Sequence, residues 1–169
     1  MRIYLIGMPY AGKTTIAQKL AQKLAFKAID LDDYIEKKHK TSITDIFSKE
    51  GEKQFREYEK NALKEIITHN NIVISTGGGI VLSRENKFLM EGLIIYLDVS
   101  LENLERRKAK EEIRPLLKTK SLEELYQERR KYYYFFQTFI VDGNHSVDEV
   151  VKKIIKLLKD EDLYASANN

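Results

Sequence analysis

Gly7-Met8-Pro9-Tyr10-Ala11-Gly12-Lys13-Thr14-Thr15 is the stretch on which the reading of this chain turns. Its spacing is G-x-x-x-x-G-K-T-T. It follows the apolar run Ile3-Tyr4-Leu5-Ile6 and leads into an amphipathic segment over 15–25. Strand, glycine-bounded loop and helix are the setting in which this spacing binds phosphate. The backbone from Tyr10 through Ala11, Gly12, Lys13, Thr14 and Thr15 would wrap its N–H groups around a polyphosphate. The helix N-terminus adds the positive end of its dipole. Lys13 would reach the β- and γ-phosphates, and Thr14 would offer its hydroxyl to Mg²⁺. A chance match in a glycine turn would not also supply the lysine, the hydroxyl and both flanking elements.

Outward from this loop, strands and helices alternate. Strands are expected at about 2–6, 27–29, 71–75, 93–97 and 139–141, and helices at about 34–40, from 44, and at 52–68. Ser100 reads as a helix cap. Ser121 with Glu124, and Ser146 with Glu149, read as capping boxes for helices reaching about 136 and running past 158. This alternation implies a parallel sheet covered on both sides, an α/β/α layering in which ligands sit beyond the carboxyl ends of the strands. That places the phosphate loop, Asp30, Asp32, the glycine triplet and Asp98 on one edge. No repeat or linker divides the chain, so a single domain over 1–159 is expected, with a frayed tail over 160–169.

Composition narrows the function. The chain has 169 residues and no cysteine, which excludes disulfides, thiolate metal sites and cysteine nucleophiles. No signal-like or membrane-length apolar run occurs, so a cytoplasmic protein with no membrane partner is expected. Net charge is only +3 with 26 acidic residues, weak support for nucleic acid. Five of the eight arginines (Arg106, Arg107, Arg114, Arg129, Arg130) fall within 25 residues, as an anion-handling region would require.

Asp30-Leu31-Asp32 puts two carboxylates at the end of the second strand. Residues two apart in an extended stretch point the same way. One could hold Mg²⁺ through water and the other accept a hydroxyl's proton, while Asp32 or Asp33 could instead cap the next helix. Three glycines after a strand, Gly77-Gly78-Gly79, mark a backbone that comes close to a ligand. The aromatic run over 132–136 reads as packing rather than base stacking, and His39, His69 and His145 as surface residues.

With these residues in view, the chain resembles the shikimate kinases nearly from end to end. The resemblance rests on the phosphate loop, Asp30-Leu31-Asp32, Asp45-Ile46-Phe47 with Phe55-Arg56, Ser75-Thr76-Gly77-Gly78-Gly79, Arg114-Pro115-Leu116-Leu117, and Glu128-Arg129 with Tyr133. It implies a five-stranded parallel sheet in the order 2-3-1-4-5 and a mobile lid near 109–118. It also implies Mg²⁺-dependent transfer of the γ-phosphate of ATP to the 3-hydroxyl of shikimate by a monomer. Asp32 would bind the substrate hydroxyls and accept the proton. Phe47 and Phe55 would line the shikimate site in a helical segment near 32–60. Arg56 and Arg129 would clamp the carboxylate, and Gly77, Gly78 and Gly79 would pack against the ring. Thr14 and Asp30 would be the metal-side residues, Arg114 would meet the γ-phosphate, and Arg107 would stack on adenine.

Three positions depart from the family pattern. Tyr10 stands where the phosphate loop usually has glycine, Lys110-Glu111-Glu112-Ile113 replaces a glycine-containing lid, and Lys131-Tyr132 replaces Pro-Leu. A negative φ is expected at Tyr10, because bulky residues rarely adopt a positive one. A gluconate kinase would share the phosphate loop but not the other motifs. A GTPase would need N-K-x-D, and Asn86-Lys87-Phe88-Leu89 lacks the aspartate. A non-catalytic nucleotide-binding protein would have no need of Lys13, Thr14, Asp32 and Arg114 together.

Overall fold

The computed structural model describes residues 1–109 and 120–163. Five strands form one parallel sheet: β1 (Arg2–Ile6), β2 (Lys27–Asp30), β3 (Ile72–Ser75), β4 (Leu93–Asp98) and β5 (Phe139–Asp142), ordered β2-β3-β1-β4-β5. This is the expected order. β1 is central, and Ile3 to Ile6 are fully buried because helices cover both faces. α1 (Lys13–Leu24) packs against α8 (Val147–Asp160). α8 turns Val150, Val151, Ile154 and Leu158 inward at helical spacing and begins at the expected Ser146–Glu149 capping box. α6 (Leu101–Lys108) is capped by Ser100, and α7 (Leu122–Phe136) by the Ser121–Glu124 box.

α2 (Leu31–His39), α3 (Ile43–Lys49) and α4 (Gly51–Ile66) follow β2 in succession. α2 starts three residues earlier than its pattern implied. Asp30 is its N-cap and accepts from the N–H groups of Asp32 (3.0 Å) and Asp33 (3.3 Å). Neither Asp32 nor Asp33 is the capping residue, and Asp32 lies in a helix turn rather than in extended chain. A 3₁₀ turn (Ile80–Leu82) and the short α5 (Glu85–Leu89) occupy a stretch with no periodic pattern. Register places Asp30 opposite Ser75 and Asp98 opposite Asp142, so the carboxyl ends of the strands form one edge. The expected lid beyond Ala109, with Lys110 to Ile113 and Arg114, lies outside the described residues, as does 164–169. Among the described residues, no helix is long and apolar enough to cross a membrane.

Candidate active site

The phosphate loop connects β1 to α1. Ala11 N–H donates to the Met8 carbonyl at 3.2 Å, closing a turn with Pro9 second and Tyr10 third. Tyr10 has φ 64°, which corrects the negative value expected from its bulk. Proline fixes its own φ near −65°, which suits the second place of a type I or a type II turn, and the positive φ of the next residue is that of type II. Glycine is the usual occupant of that place. Tyrosine is held there by burial, with 3% of its surface exposed among core side chains. Gly12, at φ 83°, is the N-cap of α1 and supplies no side chain to its first turn, which leaves backbone N–H groups directed at the cleft. Lys13, itself buried, folds back to donate to the carbonyls of Gly7 (2.9 Å) and Met8 (2.7 Å). Arg107 donates to the carbonyls of Tyr10 (3.4 Å), Ala11 (3.2 Å) and Gly143 (2.8 Å). It therefore ties the phosphate loop to the turn after β5, which sequence reading did not foresee.

Beside Lys13, three oxygens converge. Thr14 Oγ1 donates to Asp30 Oδ2 at 2.7 Å and lies 3.2 Å from Ser75 Oγ. One carboxylate thus caps α2 and holds the threonine hydroxyl. Hydroxyl and carboxylate oxygens are the donors a hard cation such as Mg²⁺ takes, so the residues fit that ion. These groups, with Gly12, Thr15, Asp32 and Thr76, line a cleft of about 80 Å³.

On the far side of the cleft the glycine triplet is crowded by side chains. A Cβ at Gly77 would sit 3.0 Å from Asp32 Oδ1 and 3.2 Å from Glu59 Oε1. One at Gly78 would press on Pro9 Cδ at 2.9 Å, and one at Gly79 would overlap the Arg56 guanidinium. The triplet is glycine because carboxylates, an arginine and the phosphate loop all lie against its backbone. Arg56 pairs with Glu52 at 2.9 Å and with Glu59. The Phe47 and Phe55 rings meet at 4.8 Å, with Arg56 5.2 Å over Phe55.

Arg129 enters from α7 only 2% exposed, and its Nε and Nη1 have no hydrogen-bond partner. Tyr133, one turn on, donates to the Gly78 carbonyl at 2.6 Å. Burial pushes the Tyr133 hydroxyl well up from its ordinary value. The packing reading of the aromatic run holds for Tyr133 and Phe136, which are buried, while Tyr134 and Phe135 are partly exposed. Asp98 reaches the sheet edge as expected but is engaged by the hydroxyls of Tyr96 (2.9 Å) and Tyr134 (3.2 Å).

Sequence reading missed Glu59. It is fully buried, and desolvation, opposed by the Arg56 charge, pushes its carboxyl up to about 7. The signal was present. Phe55, Ala62, Leu63 and Ile66 form the buried stripe of α4, and Glu59 interrupts it. An acid at such a position needs a partner.

The structure therefore gathers Tyr10 to Thr15, Asp30, Asp32, Arg56, Gly77 to Gly79, Arg107 and Arg129 around the carboxyl edge of the sheet, and Arg114 lies outside the described residues. The family model of shikimate kinase matches residues 9–159. A shikimate kinase of Rippkaea orientalis is 40% identical over 164 residues, covering 94% of this chain and 88% of that protein. The structure of a shikimate kinase from Acinetobacter baumannii in complex with shikimate superposes with a TM-score of 0.89. It is 31% identical and covers 95% of this chain and 93% of its own. That of the Aquifex aeolicus shikimate kinase gives a TM-score of 0.85 at 36% identity, covering 97% and 99%. On this agreement of motif, fold and site, the chain belongs to the shikimate kinase family.

Proposed function

We propose that this chain carries out the family's reaction, transfer of the γ-phosphate of ATP to the 3-hydroxyl of shikimate, in the cleft between the phosphate loop, Asp32 and the glycine triplet. The observation that carries the assignment is Arg129. A guanidinium 2% exposed, with two N–H-bearing nitrogens lacking acceptors, is costly unless an anionic ligand completes it. Shikimate brings a carboxylate, and Arg56 lies against the same glycine triplet to share it.

The loop N–H groups and the α1 N-terminus hold the phosphates. Lys13 leaves the Gly7 and Met8 carbonyls to follow the transferring group and neutralise its charge. Asp32, against Gly77, accepts the hydroxyl proton as the oxygen attacks phosphorus. Thr14 and Asp30 would hold Mg²⁺, which when bound neutralises charge on the β- and γ-oxygens. Arg107 uses the edge of its guanidinium for carbonyls, which leaves a planar face for adenine. Arg114 keeps the γ-phosphate role that the resemblance implies. The ATP requirement supports a cytoplasmic location, and the resemblance supports a monomer.

Asp32→Asn tests the assignment against its neighbour. The amide keeps the size and removes the accepting charge, so kcat should fall far more than ATP affinity. Asp33, exposed and contributing a backbone N–H to Asp30, should tolerate Asn. Equal losses in the two variants would remove Asp32 as the base.

A further inference from the structure

Four charged side chains converge beneath the glycine triplet: Asp32 from α2, Arg56 and Glu59 from α4, and Arg129 from α7. Glu59 is the most enclosed of them. Its Oε2 accepts from Arg56, while its Oε1 is buried without a hydrogen-bond partner and faces Gly77. The charged groups acting on it are Arg56 on its own helix, Asp32 from α2 and Arg129 from α7. On the helices packed against α4, Asp33 and Lys37 of α2 are exposed, and several other charges are held elsewhere. Lys38 and Tyr34 of α2 hold Glu65, Asp45 of α3 pairs with Lys49, and Glu85 of α5 pairs with Lys60.

On the reading that this site takes the shikimate carboxylate, we propose that carboxylate docking is coupled to uptake of a proton by Glu59. The incoming carboxylate adds a negative charge near a buried acid and competes with it for Arg56. Both effects favour the neutral acid. The proton comes from solvent and adds to Oε1, the oxygen that Arg56 does not use. The neutral acid then presents an O–H donor at the floor of the pocket, where an ionised carboxylate presents only acceptors. Burial holds the Glu59 carboxyl up at about 7 before the ligand arrives, so the uptake falls near neutral pH. The sign is fixed by linkage. A group that binds a proton more tightly in the complex makes affinity fall as pH rises through its free value. If Glu59 served only as an ionised anchor for Arg56, binding would release a proton and affinity would rise with pH.

Titration calorimetry of the intact chain with shikimate, without nucleotide, separates these cases. At pH 7 the binding enthalpy should differ between phosphate and Tris buffers by the amount that corresponds to uptake of up to about half a proton per site. The dissociation constant should rise between pH 6 and pH 9, about tenfold for each unit by which binding raises the Glu59 value. Glu59→Gln, which mimics the neutral acid, should bind with the same heat in both buffers and with little pH dependence. Binding heat with no buffer dependence in the native chain, proton release, or uptake that persists in folded Glu59→Gln would overturn the proposal. Should Glu59→Gln not fold, the pH profile of uptake by the native chain decides. Uptake centred near or above pH 7 supports the coupling, and uptake centred near pH 4–5, where ordinary carboxyls titrate, overturns it. Absence of any binding heat would overturn the shikimate reading itself, and the coupling with it.

Discussion

The hydroxyl of Tyr133 donates a 2.6 Å hydrogen bond to the carbonyl of Gly78, 55 residues earlier in the chain. One bond thus joins α7, which carries Arg129, to the glycine triplet that Asp32, Glu59 and Arg56 crowd. Tyr133 is fully buried and stacks on Tyr96 of β4 at 5.1 Å, so its position is fixed by the sheet.

Tyr133→Phe should therefore act on stability and on one substrate. Losing this bond in the core should cost about 1–2 kcal/mol, read from the urea midpoint. The KM for shikimate should rise more than that for ATP, because the disturbed contact lies on the shikimate side. Equal changes in the two constants would show that the bond serves only the core.

The carboxylate assignment can be tested on the substrate. Charge-assisted hydrogen bonds from Arg56 and Arg129 should make the methyl ester of shikimate poorer in kcat/KM by about 2–4 kcal/mol. Arg130 supplies the control. Its side chain is 48% exposed and lies 3.9 Å from Asp98, so Arg130→Ala should matter much less than Arg129→Ala. Acid and ester turned over with equal efficiency would give the arginine pair another purpose.

Much of this was legible in the sequence, for identifiable reasons. The phosphate loop, the five strands and the Ser100, Ser121 and Ser146 caps each carry a local signal in spacing or side-chain type. What escaped depends on contacts distant in sequence. That the Asp30 carboxylate which caps α2 also holds the Thr14 hydroxyl, 16 residues away, is one such contact. Arg107 reaches loop carbonyls 96 and 97 residues away. Glu59 interrupts the apolar stripe of α4 in the sequence itself, but the groups that meet it are set only when α2 and α7 close over it. The conformation of Tyr10 was half legible, because Pro9 marks a turn but suits type I and type II alike, and only type II gives the next residue a positive φ.

That turn can be measured. Replacing Tyr10 by any small residue removes a buried ring, and the lost packing outweighs relief of strain. A comparison of Tyr10→Gly with Tyr10→Ala cancels the packing loss and leaves the backbone difference. At φ 64° glycine should be the more stable by about 1 kcal/mol in thermal or urea unfolding. Alanine proving the more stable would contradict a left-handed conformation at this position.

The loop and the pocket together define one reaction, phosphoryl transfer from ATP to shikimate. A coupled ADP-release assay over shikimate, quinate, gluconate and nucleoside monophosphates, run on the native chain and on Lys13→Met, tests it most directly. Shikimate should be by far the best acceptor. Lys13→Met should fold normally and lose several kcal/mol of transition-state stabilisation. A different acceptor outpacing shikimate, or near-normal turnover by folded Lys13→Met, would contradict it.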